Sequence, residues 1–225
     1  MTDKKYDTLI KNIRLVRPNE SETRVVDIAI SNGCFAEISP SIDTNQAHTI
    51  IDGLGRLAFP GLVDAHMHTG IYAPLDQDAV SESKAAAMGG VTSSLNYMRT
   101  GKYYLNRGGS YLTFFPEVLS LSEGNFYVDY AYHLAPMDSR QIGEIPQLIS
   151  DFGVLSFKIF MFYGGHGLHG GSGDQKDFLM IGKDDKYDLA HFEFVMRGVR
   201  RAMDEFPEMA ESISLSLHCE TAEIM

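Results

Sequence analysis

The chain has 225 residues, 44% of them hydrophobic and 22% charged, with a net charge of −11. That balance suits soluble domains able to bury a core, and the acidity argues against nucleic acid and anionic membrane surfaces as partners. No apolar run approaches the ~20 residues of a membrane span, no signal-peptide core follows the first residues, and two cysteines imply no disulfide framework, so a reduced, cytoplasmic protein is expected.

Residues 1–58 read as a small antiparallel β domain. Strands are predicted over residues 6–16, 25–30 and 34–38, where apolar and β-branched residues dominate. Asn32-Gly33 joins the last two as a two-residue hairpin, because a type I′ turn needs positive φ twice. From Pro60 the rhythm becomes strand, then helix, repeated. A strand carrying Leu62-Val63-Asp64-Ala65-His66-Met67-His68 precedes a helix over 79–88, which Gly89-Gly90 closes. Strand 91–98, a short helix 116–123 and strand 127–133 follow. A helix capped by Asp138 runs to Ile149, then comes the continuous apolar strand 154–162. Gly-rich residues 164–173 open a long loop. Apolar residues at 3.6 spacing (Phe192, Val195, Met196, Val199, Met203) mark a helix over 189–206, and strand 213–218 is the last. Alternating strands and helices imply βαβ units and a parallel sheet. No glycine-rich phosphate loop follows any strand, which disfavours a nucleotide-binding sheet.

Polar residues at the strand ends form one set. Side chains at i and i+2 of a strand share a face, so His66 and His68 can aim two imidazoles at one point, as a metal ion requires. Asp64 shares that face and could orient a ligating ring. His133, His218 and Glu220 sit at or just past later strand ends. Each alone also fits a structural or capping role, and His166 and His169 read as solvated loop residues. Lys158, inside Phe157-Lys158-Ile159-Phe160-Met161, must either snorkel out or serve a purpose, because burying an ammonium is costly. A buried lysine has a lowered pKa, so its amine could form a Schiff base or react with carbon dioxide to give a carbamate that bridges two metals. The histidines favour the carbamate.

These residues resemble the amidohydrolase superfamily, in its dihydropyrimidinase, hydantoinase and allantoinase branch. Val63-Asp64-Ala65-His66-Met67-His68 is similar to the first metal motif, Ala85-Ala86-Ala87-Met88-Gly89-Gly90-Val91-Thr92 to the second-strand signature, Ser156-Phe157-Lys158-Ile159-Phe160-Met161 to the carboxylated-lysine strand, and His218-Cys219-Glu220 to the fifth-strand motif. The resemblance implies a (β/α)8 barrel over residues 59–225, with residues 1–58 as part of a composite β-sandwich. It implies two divalent ions, zinc by expectation, with His66 and His68 on one, N6-carboxylated Lys158 bridging, and His218 on the other. Asp64, His133 and Glu220 would hold the ligands from behind. Tyr163 would stabilise the oxyanion as a metal-bridging hydroxide opens a cyclic amide, and a homo-oligomer (tetramer or dimer) is implied for the full-length protein.

Two departures shape the expectation. Dihydroorotases carry an arginine shortly after His-X-His, whereas Thr69-Gly70-Ile71-Tyr72 stands here, so dihydroorotate is not expected. About five of eight barrel strands are present, so the chain is expected to be the N-terminal portion of the enzyme and inactive alone. The alternatives are a non-catalytic scaffold of the same fold, disfavoured by the intact ligand set, and a Schiff-base aldolase, which leaves His66 and His68 unexplained.

Overall fold

A computed structural model describes residues 4–161 and 175–219. The chain divides into two compact units, residues 1–61 and 62–225.

The first unit is a five-stranded sheet of β1 (Tyr6–Leu15), β2 (Arg24–Ser31), β3 (Cys34–Ser39), β4 (Ala47–Asp52) and β5 (Leu57–Ala58), ordered β3-β2-β1-β4 with β5 also on β1. β1, β2 and β3 form an antiparallel meander. Asn32 and Gly33 have φ of 51° and 73°, the paired positive values of the expected hairpin turn. β4 and β5 run parallel to β1. Alternating apolar residues give no strand direction, so this feature lay beyond the sequence reading. Tyr6, Leu9, Ala29, Ile42 and Ala47 form the unit's main buried cluster.

The second unit is the start of a (β/α)8 barrel. Its five strands are β6 (Leu62–His68), β7 (Val91–Met98), β8 (Asp129–Leu134), β9 (Ser156–Phe160) and β10 (Ser214–His218). All pair in parallel, in chain order. The connections carry α1 (Leu75–Met88), α2 (Tyr111–Ser122), α3 (Ser139–Gly143), α4 (Ile145–Phe152), α5 (Gln175–Leu179) and α6 (Leu189–Glu205). Phe157 and Ile159 of β9 belong to the same buried cluster as Phe115, Leu148, Phe192 and Val195 of the helices. Burying each such side chain is worth about 2–3 kcal/mol. Lys158, between Phe157 and Ile159, points to the opposite face of the sheet.

Several helices differ from expectation: α1 begins at Leu75, four residues before the predicted start, and α5 lies in the stretch read as a loop. α2 begins at Tyr111, five residues before the predicted start, because Ser110 caps it by accepting the Leu112 N–H and the buried Glu144 carboxylate accepts the Tyr111 N–H at 2.7 Å. Pro116 therefore lies inside the helix. The predicted helix from Asp138 to Ile149 is two helices, broken at Glu144 because Pro146 supplies no N–H to continue α3 and is tolerated only in a new first turn. α4 then ends at Gly153, with φ 66°. Substituting Gly153→Ala, which must force a Cβ into left-handed backbone, is expected to cost about 1 kcal/mol in urea denaturation.

Candidate active site

The strand ends bring the predicted residues together unevenly. His66 and His68 close β6 with their rings on one side, and their Nε2 atoms face each other at 3.0 Å. Two ring nitrogens bound to one tetrahedral zinc at 2.0–2.1 Å stand roughly 3.4 Å apart, so this pair is already near ligating separation. Lys158 Nζ lies 2.7 Å from His66 Nε2, and three nitrogens thus converge. No three His, Cys, Asp or Glu side chains among the described residues form a metal group by themselves. Among the described residues, Lys158 Nζ is the group that stands against this pair.

His133 stands behind the pair. Its Nε2 is 2.8 Å from His66 Nδ1. If His66 Nε2 is to offer a lone pair, its proton sits on Nδ1 and donates to His133 Nε2, the hydrogen bond that fixes a ligating tautomer. His133 then carries its own proton on Nδ1, a buried atom with no hydrogen-bond partner among the described residues. Burial first, then the nearby His66, Lys158 and His68, pull the His133 pKa down to about 3, so the ring stays neutral at working pH. His68 Nδ1 meets the Tyr104 hydroxyl at 3.1 Å, which orients the second ring in the same way. Burial, followed by His66, Lys158 and Arg99, lowers the His68 pKa to about 4. Burial and then Lys158 also lower that of His66.

Lys158 does not snorkel: it is 5% exposed. Its ammonium lies over the Tyr97 ring, 4.8 Å from the centroid, and no carboxylate among the described residues pairs with it. Burial lowers its pKa to about 8, so a usable fraction of neutral amine exists near neutral pH. Asp64 accepts the backbone N–H of His66 at 3.1 Å, so its carboxylate holds the strand end and not a ring. His218 ends β10 with its ring stacked on Phe160 at 4.1 Å, and it is near enough to bear on the titration of His66 and His68. Tyr163, Glu220, His166 and His169 lie outside the described residues.

The sequence reading missed Tyr97 and Tyr104. Tyr97 is fully buried, with its ring against His66, His68, His133 and Tyr104. Its place on β7, next to the strand that carries both histidines, was the one available signal. Tyr104 arrives from a loop whose path no periodicity encodes.

No family model matches the chain. It is 29% identical over 163 residues to a D-hydantoinase of Ralstonia pickettii, covering 71% of this chain and 34% of that protein. It is 30% identical over 162 residues to a dihydropyrimidinase of Dictyostelium discoideum, covering 69% and 30% respectively. A crystal structure of D-hydantoinase superposes with a TM-score of 0.58 at 26% identity, over 69% of this chain and 33% of that one. The dihydropyrimidinase of Brevibacillus agri shares the fold over 96% of this chain and 41% of that one, with a TM-score of 0.67 at 24% identity. The chain spans about a third of the length of the curated relatives it matches.

Proposed function

We propose that this chain, a relative of the hydantoinases and dihydropyrimidinases, carries the opening part of a metal site that hydrolyses a cyclic amide. The observation that supports this most is the convergence of His66 Nε2, His68 Nε2 and Lys158 Nζ within hydrogen-bond distance on adjoining strand ends. The donor set fits one divalent ion held by His66 and His68, with Lys158 as a bridging carbamate and His218 as a ligand to a second ion. Bound ions, zinc in our reading, would polarise the ring carbonyl and lower the pKa of a water.

The chain's own residues make that chemistry possible. The Lys158 ammonium loses one proton to solvent, and the neutral amine adds to carbon dioxide: a C–N bond forms, a second proton leaves, and the buried cation has become an anion suited to the site. His133 and Tyr104 hold the two imidazoles in the tautomers that present Nε2. Tyr163 is proposed to donate a hydrogen bond to the developing oxyanion. In the overall reaction water adds to the ring carbonyl carbon, the C–N bond breaks, and the nitrogen takes up a proton, giving an N-carbamoyl acid from a hydantoin or dihydropyrimidine. β6 and β10 are edge strands in the described sheet, and turnover is proposed for the barrel that strands on those edges would close. Cys34 and Cys219, both exposed free thiols, suit the reducing cytoplasm that we propose as its compartment.

Zinc titration in ¹³C-bicarbonate tests the site without requiring turnover. The expected result is a carbamate ¹³C resonance that appears with zinc and is absent from His66→Asn and Lys158→Met variants. A chain that binds no zinc and shows no carbamate would favour the non-catalytic scaffold. Opening of hydantoin, dihydrouracil or allantoin then reads out the substrate.

A further inference from the structure

Beside the metal-poised pair lies a cavity of about 480 Å³, lined by His68, Tyr72, Tyr97, Tyr104 and Phe160 and by one strong cation, Arg99. Arg99 follows β7 directly and is 3% exposed. Its guanidinium lies between the Tyr104 and Phe178 rings, 4.5 and 4.7 Å from their centroids. It donates through Nη1 to the Thr100 carbonyl at 2.8 Å and through Nη2 to the Lys102 carbonyl at 3.3 Å. No carboxylate among the described residues pairs with it, and none lines the cavity, although acidic residues outnumber basic ones 30 to 19 in the chain.

A buried guanidinium without an anion is unfavourable, because two carbonyls and two ring faces do not neutralise its charge. The local backbone is nevertheless built around it. Tyr103, Leu105 and Asn106 all adopt positive φ, which costs energy in each and marks a loop held by its surroundings. Gly101 has φ 119°, and a Cβ there would overlap Arg99 Nη1 and crowd the Phe178 carbonyl. The loop thus keeps the Arg99 guanidinium in the same cavity lining as His68, with N–H groups left beyond the two given to carbonyls, and a planar anion is what such a group pairs with best.

We infer that this cavity receives a carboxylate carried by the substrate ring, with Arg99 as the residue that selects it. The inference rests on the cyclic-amide reading of the site and narrows it to rings bearing an anionic substituent. It also revises the expectation drawn from Thr69-Gly70-Ile71-Tyr72: the cation missing after His-X-His is supplied from the end of the next strand.

Calorimetric binding of two matched probes to the unaltered protein tests this: hydantoin-5-acetic acid and its uncharged primary amide. The carboxylate is expected to bind at least about tenfold more tightly, the worth of a charge-assisted pair in a buried site. Arg99→Gln should bring the two affinities to within about twofold, and Arg99→Lys should keep only part of the preference. Because Arg99 also holds loop carbonyls, the comparison of the two probes on the unaltered chain stands even if a variant misfolds. Equal affinities, no binding of either probe, or a preference that survives Arg99→Gln would each overturn the assignment. Opening of neutral hydantoin with no carboxylate preference would leave the cyclic-amide reading intact and remove this one. Carboxylate preference without zinc binding or turnover would do the reverse.

Discussion

Replacing Lys158 with methionine is expected to stabilise the metal-free protein by about 1–3 kcal/mol while abolishing the proposed carbamate and the zinc affinity proposed to depend on it. The side chain is 5% exposed and faces His66 Nε2 at 2.7 Å, the Tyr97 ring and the Phe160 ring, with no acidic partner among the described residues. A hydrogen bond to a neutral imidazole and a cation–π contact return about 1–2 kcal/mol each at most. Desolvating an ammonium costs several. Desolvation wins, because burial alone brings the Lys158 pKa from the ordinary 10.5 to about 8. Methionine keeps nearly the same length and volume without the charge. The sign with pH follows: the folded state binds the proton more weakly than the unfolded state, so the cost is whole below about pH 8 and fades as pH rises toward 10.5. The advantage of Lys158→Met, read by urea denaturation in the presence of a chelator, should therefore shrink across that window. A variant less stable than the parent at pH 7 would mean that the lysine is already satisfied and would weaken the case for carbamate chemistry.

How legible each part of the site was depends on the range of the interactions that make it. His66 and His68 could be paired from sequence because a strand alternates every second residue, a purely local rule. Lys158 stood out because a charge inside an apolar strand is expensive wherever the strand goes. The parallel pairing of the second sheet followed from βαβ connectivity, whereas the barrel came only with the family resemblance. Tyr104 and Arg99 were not legible. Their positions depend on residues 99–109 folding back through three left-handed non-glycine residues, Tyr103, Leu105 and Asn106, a path that no propensity favours. Tyr111, where α2 starts, is held in part by Glu144, thirty-three residues away, so a local search for helix starts moved to Pro116. The Pro146 break between α3 and α4 was readable from the proline itself, which cannot donate the N–H that would continue α3.

In the first unit, Asp27→Ala is expected to cost about 2–4 kcal/mol, because three segments meet on one buried carboxylate. Asp27 lies in β2 opposite an irregularity in β1, where the register slips between Ile10 and Ile13 and Asn12 adopts φ 54°. A bulge of this kind turns a backbone N–H away from the ladder. Asp27 Oδ1 accepts that Asn12 N–H at 2.9 Å, Oδ2 accepts the Ile42 N–H at 2.9 Å, and Lys11 Nζ lies 3.0 Å from Oδ2. Burial by itself would raise the Asp27 pKa, but the Ile42 and Asn12 N–H groups and Lys11 together outweigh it and hold the carboxyl below its ordinary value. The folded state thus binds fewer protons than the unfolded one at this group. Its contribution is whole above about pH 4 and is lost as acid protonates the folded carboxyl. Alanine leaves the buried Ile42 N–H and the part-buried Asn12 N–H without their acceptor, and Lys11 without its anion. Asparagine keeps the shape but not the charge, and should cost roughly half as much. Urea denaturation at pH 7 and pH 3 separates the effects: both variants should be clearly weaker than the parent at pH 7, and the gap should narrow at pH 3. Equal stability of Asp27→Asn and the parent at pH 7 would show that neither the charge nor the second acceptor oxygen, which asparagine replaces with an N–H donor, holds the bulge. An unchanged gap at pH 3 would place the Asp27 pKa above the range this geometry implies.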